Sequence, residues 1–296
     1  MDNLMCSCVI LNYNDAETTV KLVNKISAYT CLRNIIVVDN CSSDNSWNAL
    51  DAIRGNDKVV TIKTEKNGGY GYGNNYGVRY AYGELKEAYV LIANPDVDFS
   101  EECLCACIRA LKRSPDRAVA SPVQLDIEGK RVRQYAWNLG PGLRMLLPSE
   151  FLLRHTLFPL SCADVDFSKE EALVDCVPGS FLLVDAEKFL QVGGYNEDIF
   201  LYCEEITLSS RIRKAGWKTV LLPRQTYLHM HSVSVSKSIP KIVMQRKIQN
   251  ESLLVYLKEA CGYGAVRHCL AKWFLNFCLL EEKAIAFIKL RMGQAG

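Results

Sequence analysis

Short β-branched runs alternate with helical stretches through the first hundred residues, and that rhythm leaves few folds open to the chain. Ser7 to Leu11, Asn34 to Asp39, Lys58 to Lys63 and Ala88 to Ala93 read as strands, because each is a short apolar run bounded by turn formers. Between them, Asp15 to Ala28, Asp44 to Arg54 and Asn74 to Gly83 carry apolar residues at helical spacing. Strands separated by helices form parallel βαβ units with right-handed crossovers. The expectation is an α/β fold with a Rossmann-like nucleotide-binding half, whose ligand crevice lies at the C-terminal tips of the strands.

The rhythm then changes. Ala118 to Trp137 carries Glu128-Gly129 as a turn between two extended pieces, which predicts a hairpin or a mixed-sheet excursion. Gly140 to Glu171 holds Pro141, Pro148 and Pro159 with little periodicity and reads as an irregular loop region. A strand over Asp175 to Asp185, a helix near Ala186 to Val192, a turn at Gly193-Gly194, a helix over Glu204 to Ala215 and a strand over Trp217 to Leu222 follow. From Pro240 onward the pattern is helical, so the chain divides into one main domain, 1–239, and a C-terminal helical extension, 240–296.

Bulk properties exclude several function classes. A net charge of +2 and a pI near 7.9 provide no field to gather nucleic acid, so any phosphate must be held by local groups. The 13 cysteines are odd in number, contain no Cys-x-x-Cys and fall largely in apolar runs, which reads as reduced buried thiols in a cytoplasmic protein. The start, MDNLMCSCVILNY, has no basic segment and enters a strand at once, unlike a signal peptide. The apolar run Cys269 to Leu280 contains Lys272 and falls short of the roughly 20 residues a bilayer crossing needs. The extension mixes basic residues (Lys247, Lys258, Arg267, Lys272, Lys283, Lys289, Arg291) with Trp273, Phe274, Phe277 and Phe287. Its helices suit the inner face of a membrane, the main domain or a second copy in a homodimer, and composition does not choose among these.

Five stretches carry candidate chemistry. Asn12-Tyr13-Asn14 ends the first strand, and Asp39 ends the second, where an acid can accept from a base imide or a ribose hydroxyl; equally, Asp39 to Asp44 can turn the chain and cap a helix. Asn67 to Gly77, including Gly69 and Asn75, is a glycine-rich loop entering a helix, a form that lets backbone N–H groups approach phosphate, yet it is neither the dinucleotide fingerprint nor a P-loop. Asn94-Pro95-Asp96-Val97-Asp98 leaves the fourth strand at its tip, where Asp96 is placed to hold a hard divalent cation and Asp98 to cap or face solvent. Glu204 and Glu205 open a helix, a position suited to the dipole and also to a general base. His229 and His231 share one face of a short strand, where one can complete a metal shell.

In this order the motifs resemble the family 2 inverting glycosyltransferases of the GT-A fold, in their rhamnosyltransferase-like branch. The matching stretches are VVDNCSSDNS, NGGYGYGNNYGV, NPDV, the run from GSFLLVD through FLYCEEITL to VLLP, and LHMHSVSVS, covering roughly residues 5 to 236. The resemblance implies a mixed central sheet, a UDP- or dTDP-sugar donor, a Mg2+ or Mn2+ ion, inversion at the anomeric carbon, and a saccharide or lipid-linked saccharide acceptor in cell-surface polysaccharide synthesis. It also implies that Asp39 contacts the nucleobase, that Asn94 to Asp96 stands where the family has Asp-x-Asp, that His229 is the downstream ligand, and that Glu205 is the base. Asn94 replaces the first acid, as is common in this branch, and Thr207 stands where many relatives have a further Asp. Two rival readings are a nucleotidyltransferase and a non-catalytic nucleotide-sugar-binding scaffold. The first lacks its expected basic loop, since Asn12 to Thr18 holds no Lys or Arg.

Overall fold

The computed structural model describes residues 4–149, 161–230 and 242–293. The first four strands, β1 (Cys6–Asn12), β2 (Leu32–Asp39), β3 (Val59–Lys63) and β4 (Tyr89–Ala93), fall where the periodicity predicts them. They are linked through α1 (Ala16–Ile26), α2 (Ser46–Ala49) and α3 (Tyr70–Gly83). The chain continues through β5 (Val97–Asp98), α4 (Glu101–Lys112), β6 (Arg117–Leu125), β7 (Trp137–Asn138), α5 (Gly142–Leu146), β8 (Ser161–Cys162) and β9 (Ala172–Val174). It ends with β10 (Phe181–Asp185), α6 (Ala186–Gln191), α7 (Glu204–Lys214), β11 (Lys218–His229), α8 (Ile242–Glu259) and α9 (Ala265–Gly293).

The nine-stranded sheet runs β3-β2-β1-β4-β10-β6-β11-β5, with β9 also on β11. β1, β2, β3 and β4 are parallel, as are β6 and β11, while β10 lies antiparallel between β4 and β6. The sheet is therefore mixed, and the tips of β1, β2, β4 and β11 share one edge.

β1 is apolar almost throughout because both its faces are covered. Cys8 and Ile10 meet Leu22, Val23 and Ile26 of α1 and Leu104 and Ile108 of α4. Val9 and Val38 meet Val78 of α3, Phe189 of α6 and Leu208 of α7 on the opposite face. Each such side chain contributes about 1.5–3 kcal/mol by burial, well above the ≲1 kcal/mol of an exposed ion pair such as Lys25–Asp98, so the sheet faces dominate. A third cluster, with Met145, Leu146, Ile206, Leu253, Leu257 and Leu275, seats α8 and α9 on α5 and α7. Glu259 at the end of α8 is bound by Arg211 Nη2 at 2.9 Å and Asn196 Nδ2 at 2.6 Å. The division at 239/240 falls outside the described residues.

Four expected elements are realised differently. Asp44 to Arg54 is broken into α2 and a 3-10 turn over Leu50–Ile53, because the Asp44 and Asn45 side chains bind Ser46 N and Asn48 Nδ2 and compete with the first helical turn. The Asp126-to-Lys130 turn forms, with Gly129 at φ +74, yet its returning arm rejoins β6 only at the Leu125–Arg131 bridge and by Val132 N donating to Gln124 O. Of Asp175 to Asp185 only Phe181–Asp185 is strand: β9 ends at Val174, Cys176 exchanges hydrogen bonds with Trp137 as an isolated bridge, and Pro178 offers a ladder no donor. Conversely, Trp217 to Leu222 and the histidine strand are one, β11, whose register against β6 jumps between Leu222 and Thr226 where Pro223 interrupts pairing. Of the loop over Gly140 to Glu171, residues 150–160 lie outside the described residues, as does His231.

Cys31, Glu101 and Cys105 have ligand atoms within 4.8 Å of one another. Glu101 Oε1 accepts from Thr30 N, Thr30 Oγ1 and Cys31 N, which ties the chain entering β2 to the start of α4.

Candidate active site

β5 is only two residues long, but it pairs antiparallel with the end of β11, aligning Val97 with His229 and Asp98 with Leu228. Met230 N donates to Asp96 O at 2.9 Å and extends the pairing by one step. This brings residues 133 positions apart into contact: His229 Nε2 lies 3.2 Å from Asp96 Oδ1 and 3.5 Å from Asn94 Nδ2. Asp98 points the other way, to an exposed ion pair with Lys25. Asp96 and His229 are each 9% exposed, so the pair sits at the lip of the crevice and not beneath it. A carboxylate, an imidazole and a side-chain amide fit Mg2+ or Mn2+, which are commonly held by one or two protein ligands plus substrate phosphate and water.

The acid pair is aimed by strained backbone. Tyr202 at φ +73 and Cys203 at φ +66 are consecutive non-glycine residues in the left-handed region, at about 1–3 kcal/mol each. Thr207 N and Oγ1 both donate to Cys203 O and lock that turn onto α7. Glu204 is 3% exposed, and its Oε1 has no hydrogen-bond partner among the described residues. Burial, and then the neighbouring Glu205 charge, push the Glu204 carboxyl well above the usual carboxylate range. Glu205 is half-buried and its pKa is also raised by burial, countered by backbone N–H groups including that of Gly179. Burial thus raises both carboxyls of the pair, and Glu204 alone of the two also holds an oxygen without a hydrogen-bond partner among the described residues.

Gly179 and Ser180 join the two groups. A methyl group built on Gly179 would lie 2.7 Å from Glu205 Oε1, so only glycine admits the carboxylate there. Ser180 O accepts from Asn94 N at 3.0 Å, and Tyr70 Oη donates to Gly179 O at 2.8 Å. Burial pushes the pKa of the Tyr227 hydroxyl up, and the charges of Glu205 and Asp96 add to the rise.

At the tips of β1 and β2, Asp39 is fully buried, with Oδ2 accepting from Asn12 Nδ2 and Oδ1 from Ser42 N. Asn12 also accepts from Thr19 Oγ1, and Asn14 clamps Ser43 and Asp44 through its Oδ1. Asp39 therefore turns the chain, one of the two roles open to it in the sequence, and together these side chains shape the wall of the crevice.

The helix entered by the glycine-rich stretch begins earlier than its spacing predicts. α3 starts at Tyr70, not Asn74, and its glycines face protein: a methyl at Gly73 would meet Leu11 at 2.3 Å, one at Gly77 would meet Val9 at 2.4 Å, and one at Gly69 would meet Phe200 O at 2.2 Å. These residues let α3 approach β1 closely. Asn67 accepts from Asn40 and from Gly69 N. Asn75 holds Tyr195 N, Tyr195 O and Glu197, so it clips the loop leading to α7 and does not stand on the crevice with a free amide hydrogen.

Sequence reading passed over Asn40, Gln124, Gly179, Ser180 and Tyr227. The Pro178-Gly179 break inside an apolar run was the available signal for Gly179; nothing local marks Gln124.

A cavity of about 820 Å3 lies beside α7, lined by Leu143, Leu146, Arg213, Tyr256, Leu270 and Phe274 among others. Neither Glu204 nor Glu205 lines it, and it opens farther along the helix that Glu204 begins.

The sequence model of Glycosyl transferase family 2 matches residues 7–171. The chain is 31% identical over 70% of its length to the low-salt glycan biosynthesis hexosyltransferase Agl10 of Haloferax volcanii, of which it spans only 61%. It is 28% identical over 69% of its length to the N-acetylglucosaminyl-diphospho-decaprenol L-rhamnosyltransferase of Mycobacterium tuberculosis, covering 68% of that protein. Among solved structures, the mannosyltransferase PcManGT of Pyrobaculum calidifontis, in complex with GDP-Man and Mn2+, superposes with a TM-score of 0.58 at 16% identity, over 98% of this chain and 79% of that one. The open mixed sheet with helices on both faces is the GT-A fold, and with the family match over more than half its length the chain belongs to glycosyl transferase family 2.

Proposed function

We propose that the protein transfers a sugar, with inversion, from a UDP- or dTDP-sugar to a hydroxyl of a lipid-linked saccharide during cell-surface polysaccharide synthesis. The observation that carries this is the Gly179–Ser180 junction, which holds Glu205 on one side and, through Asn94, the Asp96–His229 pair on the other. The nucleoside lies against the tips of β1 and β2, where Asp39, Asn12 and Asn14 fix the wall that meets base and ribose. Asp96 and His229 would hold Mg2+ or Mn2+, with Asn94 beside them; when bound, the cation supplies neutralisation of the departing diphosphate. Glu205 accepts the acceptor's proton as its oxygen attacks the anomeric carbon from the face opposite the diphosphate, so a single displacement inverts that centre.

The groove beside α7 supports an acceptor with an apolar carrier. Ser210 and Arg213 line it, roughly 8 and 12 Å along α7 from Glu205 at 1.5 Å per residue, with Leu143, Leu270 and Phe274 beyond. On α9, Val266, Leu270, Trp273, Phe277 and Leu280 are 54–74% exposed and form an outward stripe flanked by Arg267, Lys272 and Lys283. That stripe suits the surface of a membrane carrying such acceptors.

Calorimetry with UDP and dTDP in the presence of Mn2+, followed by donor hydrolysis across a panel of nucleotide sugars, tests the reading. Tight diphosphate binding with turnover of one donor is expected. Binding without turnover of any donor would favour the scaffold. Glu205→Gln should lower kcat about 10²- to 10⁴-fold with donor affinity near wild type.

A further inference from the structure

Behind His229 a chain of buried polar side chains runs away from the crevice. Gln124 Nε2 lies 3.2 Å from His229 Nδ1, Tyr227 Oη donates to Gln124 Oε1 at 3.2 Å, and Ser180 Oγ is 2.7 Å from Tyr227 Oη. Gln124, Tyr227 and Ser180 are each at most 5% exposed. The three come from β6, β11 and the residue before β10, so adjacent strands fix their spacing.

The direction of these bonds sets the imidazole. With Gln124 Nε2 as donor, Nδ1 is the acceptor and the ring proton sits on Nε2, facing Asp96 Oδ1 at 3.2 Å; the Asn94 amide, whose nitrogen lies 3.5 Å from Nε2, then turns its oxygen toward that N–H. A cation can be bound only through an Nε2 lone pair, so the proton must then sit on Nδ1, which needs an acceptor behind it. Half a turn of the Gln124 amide provides one. Oε1 then faces Nδ1–H, Nε2 donates to the Tyr227 oxygen, and the Tyr227 hydroxyl turns to Ser180 Oγ. The ring stays neutral: Nε2 gives up one proton to water and Nδ1 takes one from it.

We propose that Gln124 is a positioning residue for the cation, and that the Ser180–Tyr227–Gln124 chain has two hydrogen-bond directions, one for the cation-free His229 and one for the loaded site. The proposal rests on the cation role assigned above to Asp96 and His229. It also explains why an amide stands at position 124: only a side chain that both donates and accepts can serve both directions.

Two variants and one spectroscopic measurement test it. Gln124→Met keeps the volume but can neither donate nor accept strongly, whereas Gln124→Glu is a permanent acceptor for Nδ1–H. Mn2+ binding, with and without UDP, is read from the free-ion EPR signal. Gln124→Met should weaken it about 10- to 100-fold and Gln124→Glu should match or exceed wild type. Nitrogen-15 NMR of His229 should show Nε2–H in the cation-free protein and Nδ1–H after Mg2+, with Gln124→Glu already in the Nδ1–H form. Circular dichroism checks that each variant is folded; if Gln124→Met is not, the wild-type and Gln124→Glu spectra still decide. Wild-type affinity in a folded Gln124→Met, or a His229 proton that stays on Nε2 with Mg2+, overturns the relay alone. A wild type that binds no Mn2+ overturns both the relay and the cation reading.

Discussion

Glu204 and Glu205 are neighbours in sequence with unlike surroundings, and the proposed division of roles between them rests on that difference. Burial and an unpartnered oxygen favour the neutral form of Glu204, and a neutral amide mimics that form. Glu204→Gln should therefore retain activity within a few-fold, unlike Glu205→Gln. The sign of the pH effect follows from linkage. A carboxyl whose pKa is raised on folding contributes stability fully below its unfolded value, and that contribution is lost as pH rises through the folded value. The gain in Tm of Glu204→Gln over wild type should therefore grow from about pH 5 to about pH 8, and a constant difference in thermal melts would contradict this. Gly179→Ala tests the aim of the base. The flexible Glu205 side chain can move away from the new methyl, so stability should change little. Displacing the carboxylate should lower kcat about 100-fold with Mn2+ binding unchanged.

Elements with a strong period were legible, and those set by contact were not. β1 to β4 follow from apolar runs between turn formers, and α7 and β10 from their patterns. β5, two residues long, has no period to read, yet it delivers Asp96 to His229. Asn67 to Gly77 looked like a phosphate loop because glycine has two uses, backbone access and close approach, and only the surroundings distinguish them. Gly77→Ala decides between them. The added methyl meets Val9 at 2.4 Å and Val38 at 2.9 Å, both stiff β-branched side chains. Overpacking of about 1–3 kcal/mol outweighs the roughly 1 kcal/mol gained in helix propensity, so denaturation midpoints should fall while nucleotide affinity holds. At Asp39 the turn reading, available from sequence, is realised in the bonds from Ser42 N and Asn12, and the proposed base contact stands beside it.

For the whole molecule, no helix among the described residues is long and apolar enough to cross a membrane. The apolar stripe on α9 nevertheless faces outward along the length of the described side chains. Trp273→Glu combined with Phe277→Glu, both outside the groove lining, should abolish flotation with anionic vesicles and leave turnover of a water-soluble acceptor analogue intact. Flotation equal to wild type, or loss of a dimer in light scattering, would point to a protein partner. The tail is also fastened to the loop that precedes the acids: Ser252 Oγ donates to Leu201 O at 2.6 Å, and Glu259 grips Asn196 and Arg211. Those ties run from α8, which in turn holds α9 where Asn250 Nδ2 donates to Leu275 O at 3.2 Å. The C-terminal helices are therefore a buttress for the acidic turn, and cutting the chain before α8 should leave Glu204 and Glu205 without their fixed position.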